Sequence, residues 1–173
     1  MANIYLRKST IEDLDSIMEI IEEARALLKK DGSPQWQDGS PDVATIKLDI
    51  EKQENWVLMV DDKIAGTTTL MTENDPNYKI IQDGSWNNDD DPYVTAHRVA
   101  ISNKFRGMHL GKFLFSNLMT ITIEHGFKNF RIDTHEMNKR MQGLSVSLGF
   151  KKRGIIYVGP SEDDRRIAFE LNL

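Results

Sequence analysis

The chain has 173 residues, enough for one domain, residues 1–173, with a sizeable core. Apolar residues make up 39% and charged residues 28%, which excludes a disordered or fibrous chain. A net charge of −5 argues against a nucleic-acid partner, and the lack of cysteine excludes disulfides, zinc thiolates and a cysteine nucleophile. The segment Met1-Ala-Asn-Ile-Tyr-Leu-Arg lacks the apolar run of a signal peptide, and no stretch reaches the length of a membrane span. A cytoplasmic protein with no membrane partner is expected.

Residues 3–8 read as a short strand. Thr10 offers an N-cap with Asp13 three residues on, and Ile11, Leu14, Ile17, Met18, Ile21 and Leu28 follow at helical spacing to about Lys30. Asp31-Gly-Ser-Pro stops that helix, residues 34–41 read as a structured loop, and a second helix covers roughly 42–53. Trp56–Val60 and Ile64–Met71 read as strands joined by a tight turn at Asp61-Asp62. Residues 73–92, rich in Asn, Asp, Pro and Gly, form an excursion. Within it Asp89-Asp90-Asp91 reads as solvated loop, because adjacent carboxylates diverge, and no metal is expected.

A strand spans Tyr93–Ile101, a turn covers 103–109, and a helix runs from about Leu110 to His125 with Gly126 as its C′ residue. Phe130–Thr134 is a short strand, Asn138–Leu148 a helix ended by Gly149, and strands at about 150–158 and 166–172 close the chain. The order β-α-α-β-β-β-α-β-α-β-β implies an α/β fold with a mixed sheet and helices on both faces.

The stretch Thr95-Ala-His-Arg-Val-Ala-Ile-Ser-Asn-Lys-Phe-Arg-Gly-Met-His-Leu-Gly-Lys112 is the most informative. An apolar strand enters a short basic turn that opens onto a helix. Such a turn offers free amides, the positive end of a helix dipole and basic side chains to one anion, which suggests a pyrophosphate. No Walker loop or dinucleotide fingerprint is present to suggest another nucleotide phosphate.

These residues resemble the GNAT superfamily of N-acetyltransferases. Arg106-Gly107-Met108-His109-Leu110-Gly111 stands where that family has Arg/Gln-x-x-Gly-x-Gly/Ala, and Asn138 begins a helix ending in Gly149-Phe150, the family's later motif. A bacterial subgroup of undefined acceptor is similar also in Gln35 to Gly39, His97-Arg98 and Ile132 to His135. The resemblance implies a GNAT-like, mixed, mostly antiparallel sheet and acetyl transfer from acetyl-CoA, as cosubstrate, to a primary amine of a small molecule or peptide. It also implies direct attack in a ternary complex and a possible homodimer. The alternative is a non-catalytic CoA-binding sensor. Two departures motivate it: His109 replaces the family's central glycine, and Ser145 replaces a tyrosine that serves as general acid. With residue 109 in the first helical turn its φ is negative, and the imidazole could donate to a phosphate.

The resemblance assigns the backbone of Val99, Ala100 and Ile101 to the pantetheine arm, with the Val99 amide as oxyanion donor. It assigns Arg106 and the amides of Gly107, Met108, His109, Leu110, Gly111 and Lys112 to the pyrophosphate, and Asn138 to a pantetheine amide. Asn138 equally suits an N-cap. His97, in period-two register with Val99 and Ile101, is a candidate to accept the amine proton, as is His135; a histidine satisfied in the core is the competing reading. Asp133 could bind a substrate ammonium or cap the following turn. Trp36, Gln37 and Asp38, and Trp86 from the excursion, could line the acceptor pocket, though an aromatic also serves as a packing anchor.

Overall fold

A computed structural model describes all of residues 1–173. After strand β1 (Ile4–Lys8) the chain turns at Thr10, whose amide donates to Asp13 Oδ2 at 2.8 Å. Arg7 grips the same carboxylate with both terminal nitrogens, at 2.8 and 2.9 Å. The first helical turn, Ile11–Asp13, winds as a 3-10 helix, so α1 proper spans Leu14–Lys30. Helix α2 (Val43–Glu51) starts where Asp42 Oδ1 accepts the Thr45 amide at 2.8 Å. Strands β2 (Asn55–Val60), β3 (Lys63–Met71) and β4 (Tyr93–Ile101) follow, then α3 (Leu110–Glu124), β5 (Asn129–Thr134), α4 (Lys139–Ser147), β6 (Lys151–Tyr157) and β7 (Arg165–Asn172). No helix is long and apolar enough to cross a membrane.

One seven-stranded sheet has the order β1-β2-β3-β4-β5-β7-β6. Only β4 and β5 run parallel; every other neighbour is antiparallel. Period-two alternation sorts the strands' side chains into two cores. Leu58, Val60, Val94, Ala96, Phe130 and Ile132 face α3, whose Leu114, Phe115 and Leu118 are fully buried against them. Val57 and Met59 face the other way, onto Ile17 and Ile21 of α1 and Ile46 and Ile50 of α2.

The excursion after β3 covers the rest of that second face. Tyr78 and Trp86 pack on Tyr93, Ile156 and Ala168. Gln82 pairs with Ile155 through two 2.8 Å backbone bonds, at a place where a β-carbon on Gly154 would lie 2.5 Å from the Gln82 carbonyl. Beneath it, the Arg131 guanidinium lies between the rings of Trp86 and Tyr93, 4.3 and 4.1 Å from their centroids. Arg131 Nε donates to Glu170 Oε1 at 3.0 Å, and the Asn87 amide donates to Oε2 at 2.8 Å. Arg153 Nε lies 3.0 Å from Oε2, a charge contact without hydrogen-bond alignment.

The Glu170 side chain is fully buried. Glu170→Ala would leave two arginines without their anion and is expected to cost about 3–5 kcal/mol of folding free energy, read by urea denaturation.

Candidate active site

The site begins where two parallel strands part. β4 and β5 pair only at Tyr93–Asn129, Val94–Phe130 and Thr95–Arg131. Beyond Thr95 the β5 side of β4 has no strand partner, so its backbone groups there open onto a crevice. The separation coincides with a bulge. Thr69 stands opposite His97 and Thr67 opposite Ala100, so β4 carries one residue more than β3 across this interval. The surplus is taken up at Arg98, whose φ is +56°, a left-handed value uncommon for a residue with a side chain. Arg98 Nη1 lies 3.1 Å from Asp49 Oδ2 on α2, again a charge contact without bond alignment, and Thr69 Oγ1 donates to the same oxygen at 2.8 Å.

The bulge corrects the expected register. Val99 and Ile101 pack with Ala96 on the α3 side, whereas His97 and Ala100 stand opposite Thr69 and Thr67 on the α2 side. His97 is therefore not on the same face as Val99. One strand presents an imidazole to one face and apolar side chains to the other, with an unpaired backbone edge between them.

A cavity of about 750 Å³ lies along this edge. Its walls include Ala96 to Ile101 of β4, Asp133 and Thr134 of β5, and Asn138, Met141 and Leu144 at α4. The far wall comes from Gln35, Trp36, Asp38 and Pro41 in the loop between α1 and α2, and from Glu73 to Asn77 in the excursion. His97 Nε2 lies 3.0 Å from Asp75 Oδ2. Burial disfavours the Asp75 carboxylate, but the His97 imidazole and the Asn77 amide, which donates to Oδ1 at 2.8 Å, outweigh it and lower its pKa. Asp133 Oδ2 accepts from the Tyr78 hydroxyl at 2.7 Å; burial and that carboxylate hold the phenol well above its ordinary pKa, so it stays a donor.

The basic turn stands beside this cavity, outside its lining. Gly107 and His109 have φ of +85° and +53°. His109 is the N-cap of α3 in a left-handed conformation, contrary to the negative φ expected for it. The helix begins one residue later, at Leu110, and position 109 takes the geometry for which glycine is best suited, at a cost of about 1–2 kcal/mol for an L-residue. The amides of Gly107, His109, Leu110 and Gly111 donate to no atom of the chain, whereas those of Met108 and Lys112, expected to be free, bond the carbonyls of Phe105 and His109 at 3.4 and 3.0 Å. Four donors are left at a helix N-terminus, a setting suited to anions. Arg106 is exposed and donates to Asn103 Oδ1 at 3.0 Å, while Lys104 is paired with Glu19 at 2.8 Å. Gly111 abuts the cavity wall: a β-carbon there would lie 2.9 Å from Leu144 Cδ2.

The other expected residues divide. Trp36 lines the cavity, and its carbonyl accepts from Arg25 Nε at 3.0 Å. Asn138 does two things at once: it lines the cavity, and its Oδ1 accepts the Met141 amide at 3.1 Å as the cap of α4. Asp38 lines the cavity as expected, but Gln37 does not: its side chain turns out to the carbonyls of Arg25 and Gln35, and Gln35 takes its place on the wall. Trp86 does not cover it either, being 5% exposed with Nε1 bound to the Tyr78 carbonyl at 2.9 Å. His135 is buried outside the lining, and its Nδ1 accepts the Met137 amide at 3.1 Å, a turn-capping bond. Ser145 is fully buried and donates to the Met141 carbonyl at 2.8 Å, turned into its own helix. Sequence reasoning missed Asp75 and Arg98. The Asp75-Pro76 pair was a usable turn signal, but nothing in the spacing placed it beside His97.

A family model described as "Acetyltransferase (GNAT) family" matches residues 21–150. Among solved structures, an acetyltransferase of the GNAT family from Streptococcus agalactiae is 35% identical, with a TM-score of 0.88 over 98% of this chain and 95% of its own. PaiA N-acetyltransferase from Thermoplasma acidophilum, solved in complex with coenzyme A, is 15% identical with a TM-score of 0.73 over 99% of both chains; that likeness is one of fold. Human N-acetyltransferase 8B is 24% identical over 99 residues, which are 57% of this chain and only 39% of that curated relative's length.

The buried imidazole behind the cavity gives the fold a pH dependence. Burial and the nearby Arg166 charge lower the His135 pKa below its ordinary 6.5. The unfolded chain then binds more protons than the folded one once the pH falls below that value, so this contribution is complete above it and declines beneath it. His135→Asn, which keeps an acceptor for the Met137 amide, is expected to flatten the loss of stability between about pH 7 and about pH 5, measured by urea denaturation at each pH.

Proposed function

We propose that this chain, which belongs to the acetyltransferase (GNAT) family, is one acetyltransferase domain that transfers an acetyl group from acetyl-CoA to a primary amine in a ternary complex. The observation that carries the reading is the four unbonded amides of Gly107, His109, Leu110 and Gly111 beside the parted strands. The donors fit a pyrophosphate: they converge at the positive end of α3, and Arg106 adds a forked cationic donor. The exposed edge of Val99, Ala100 and Ile101 suits an extended arm laid beside it as a strand would lie. Asn138, on the opposite wall, would meet the same arm. Acetyl-CoA, when bound, supplies the activated acetyl group.

The charge of the cavity supports a cationic acceptor. Asp31, Asp38, Glu73, Asp75, Asp133 and Asp164 line it against Arg98, Arg140 and Arg166. Four of those acids are already engaged: Asp31 by Arg140 at 3.0 Å, Asp75 by His97, Asp133 by Tyr78, and Asp164 by the Ser161 hydroxyl at 2.7 Å. Glu73 and Asp38 are exposed and face the loop wall where an ammonium would arrive. An amine is mostly protonated near neutral pH and must lose a proton before it can attack. His97, on the acceptor side of β4, is the group placed to take it. Because the Ser145 hydroxyl is bound within α4, the leaving thiolate would depart without an acid from that position. The Val99 amide would polarise the carbonyl under attack.

The direct test is thiol release from acetyl-CoA on incubation with diamines and lysine peptides. Tight coenzyme A binding with no release across the panel would favour a non-catalytic sensor. Arg106→Ala is expected to weaken coenzyme A binding by about 1.5–3 kcal/mol in titration calorimetry, and an unchanged dissociation constant would remove Arg106 from the site. His97→Ala is expected to lower kcat by about a hundredfold with little change in coenzyme A affinity; equal kcat for the two proteins would reject its role.

A further inference from the structure

Resting on that reading, we infer that Asp75 is a positioning residue that forms a carboxylate–imidazole dyad with His97 and leaves His97 Nδ1 as the atom that accepts the amine proton.

The two oxygens of Asp75 have separate duties. Oδ1 accepts the Asn77 amide at 2.8 Å and so caps the 3-10 turn Pro76–Tyr78. Oδ2 lies 3.0 Å from His97 Nε2, a charge contact short of full hydrogen-bond alignment. An ionised carboxylate repels a lone pair and attracts an N–H, so it favours the proton on Nε2 and leaves the lone pair on Nδ1. His97 Nδ1 bonds to no atom of the chain, while the imidazole lines the cavity with 23% of its side chain exposed. The other polar neighbours do not compete for the ring. The Thr68 hydroxyl donates to the His97 carbonyl, Arg98 reaches to Asp49, and the Tyr78 hydroxyl is committed to Asp133.

The carboxylate is also held still. Tyr78 follows it by three residues and is buried between Trp86, Tyr93 and the imidazole, its ring centroid 6.3 Å from that of His97. The excursion therefore brings an anion of fixed orientation to the one face of β4 that the bulge gives to His97. An anion so placed fixes the tautomer and stabilises the imidazolium that forms when Nδ1 is protonated.

The proton balance is complete. One proton passes from the substrate ammonium to Nδ1, the freed nitrogen pair forms the C–N bond, and the C–S bond breaks with its pair going to sulfur. The second nitrogen proton goes to that thiolate, and the imidazolium returns its own to water.

Asp75→Asn tests the assignment. The amide keeps an oxygen for the Asn77 N–H, so the turn is preserved, but it can set an N–H against Nε2. The ring would then reverse its tautomer, with the proton on Nδ1 and no base toward the cavity. The variant is expected to keep its melting temperature and coenzyme A affinity, lose about a hundredfold in kcat, and cost nothing further in a His97→Ala background. Long-range ¹H–¹⁵N spectra of the imidazole are expected to show Nε2–H in the unaltered protein and Nδ1–H in the variant. An unaltered protein with the proton on Nδ1, or a folded Asp75→Asn variant with undiminished kcat, overturns the dyad. If the unaltered protein acetylates no amine, the transferase reading fails separately, and the tautomer spectrum alone decides whether Asp75 sets the ring.

Discussion

The Arg98 position constrains everything around it. A side chain held at φ +56° and reaching to Asp49 forces one surplus residue into β4, and the strand parts from β5 after Thr95. Without that step, His97 and Val99 would share a face. With it, the imidazole points to the face covered by α1, α2 and the excursion, and the apolar side chains of Val99 and Ile101 support α3. The tether matters because Asp49 is itself buried and bound by Thr69, so the left-handed residue is held from a second element rather than by its own strand. Strain of this kind persists only where its surroundings over-determine it.

The two walls of the crevice are stabilised by different physics. The turn before α3 is backbone geometry: positive φ at Gly107 and His109, a helix start at Leu110, and amides with no partner in the chain. It needs few particular side chains, which is why a histidine can stand where a glycine would be easier. The acceptor side is side-chain chemistry. Tyr78 donates to Asp133 at 2.7 Å and Asp75 faces His97, while Arg131 and Glu170 are buried beneath the excursion that carries Asp75 and Tyr78.

Most of the fold was legible because its signals are local. Period-two strands, helical stripes, the Thr10–Asp13 cap and Gly126 at φ +84° as the stop of α3 all act within a few residues. The turn into α3 was legible for the same reason. What was not legible depends on contacts distant in sequence. His97 and Asp75 meet because a strand and an excursion fold together, and no periodicity marks that meeting. The register of Val99 failed because an Arg at a bulge leaves no composition cue, whereas a glycine there would have been a warning. Trp86 and His135 were assigned to the cavity by residue type; in the fold each spends its polar atom on a backbone group, the Tyr78 carbonyl and the Met137 amide. Gln37 missed by one position, since a loop gives no alternation to say which neighbour faces inward.

The excursion has a consequence for how such a scaffold diversifies. Residues 72–92 are spliced between two strands that pair with each other regardless, and they dock through one buried ion cluster and one two-bond backbone bridge at Gln82. The segment is thus a cassette. Its docking contacts at Arg131, Glu170 and Gly154 lie apart from Glu73 to Asn77, so the residues it brings to the cavity wall can change without disturbing either the dock or the turn at 107–111.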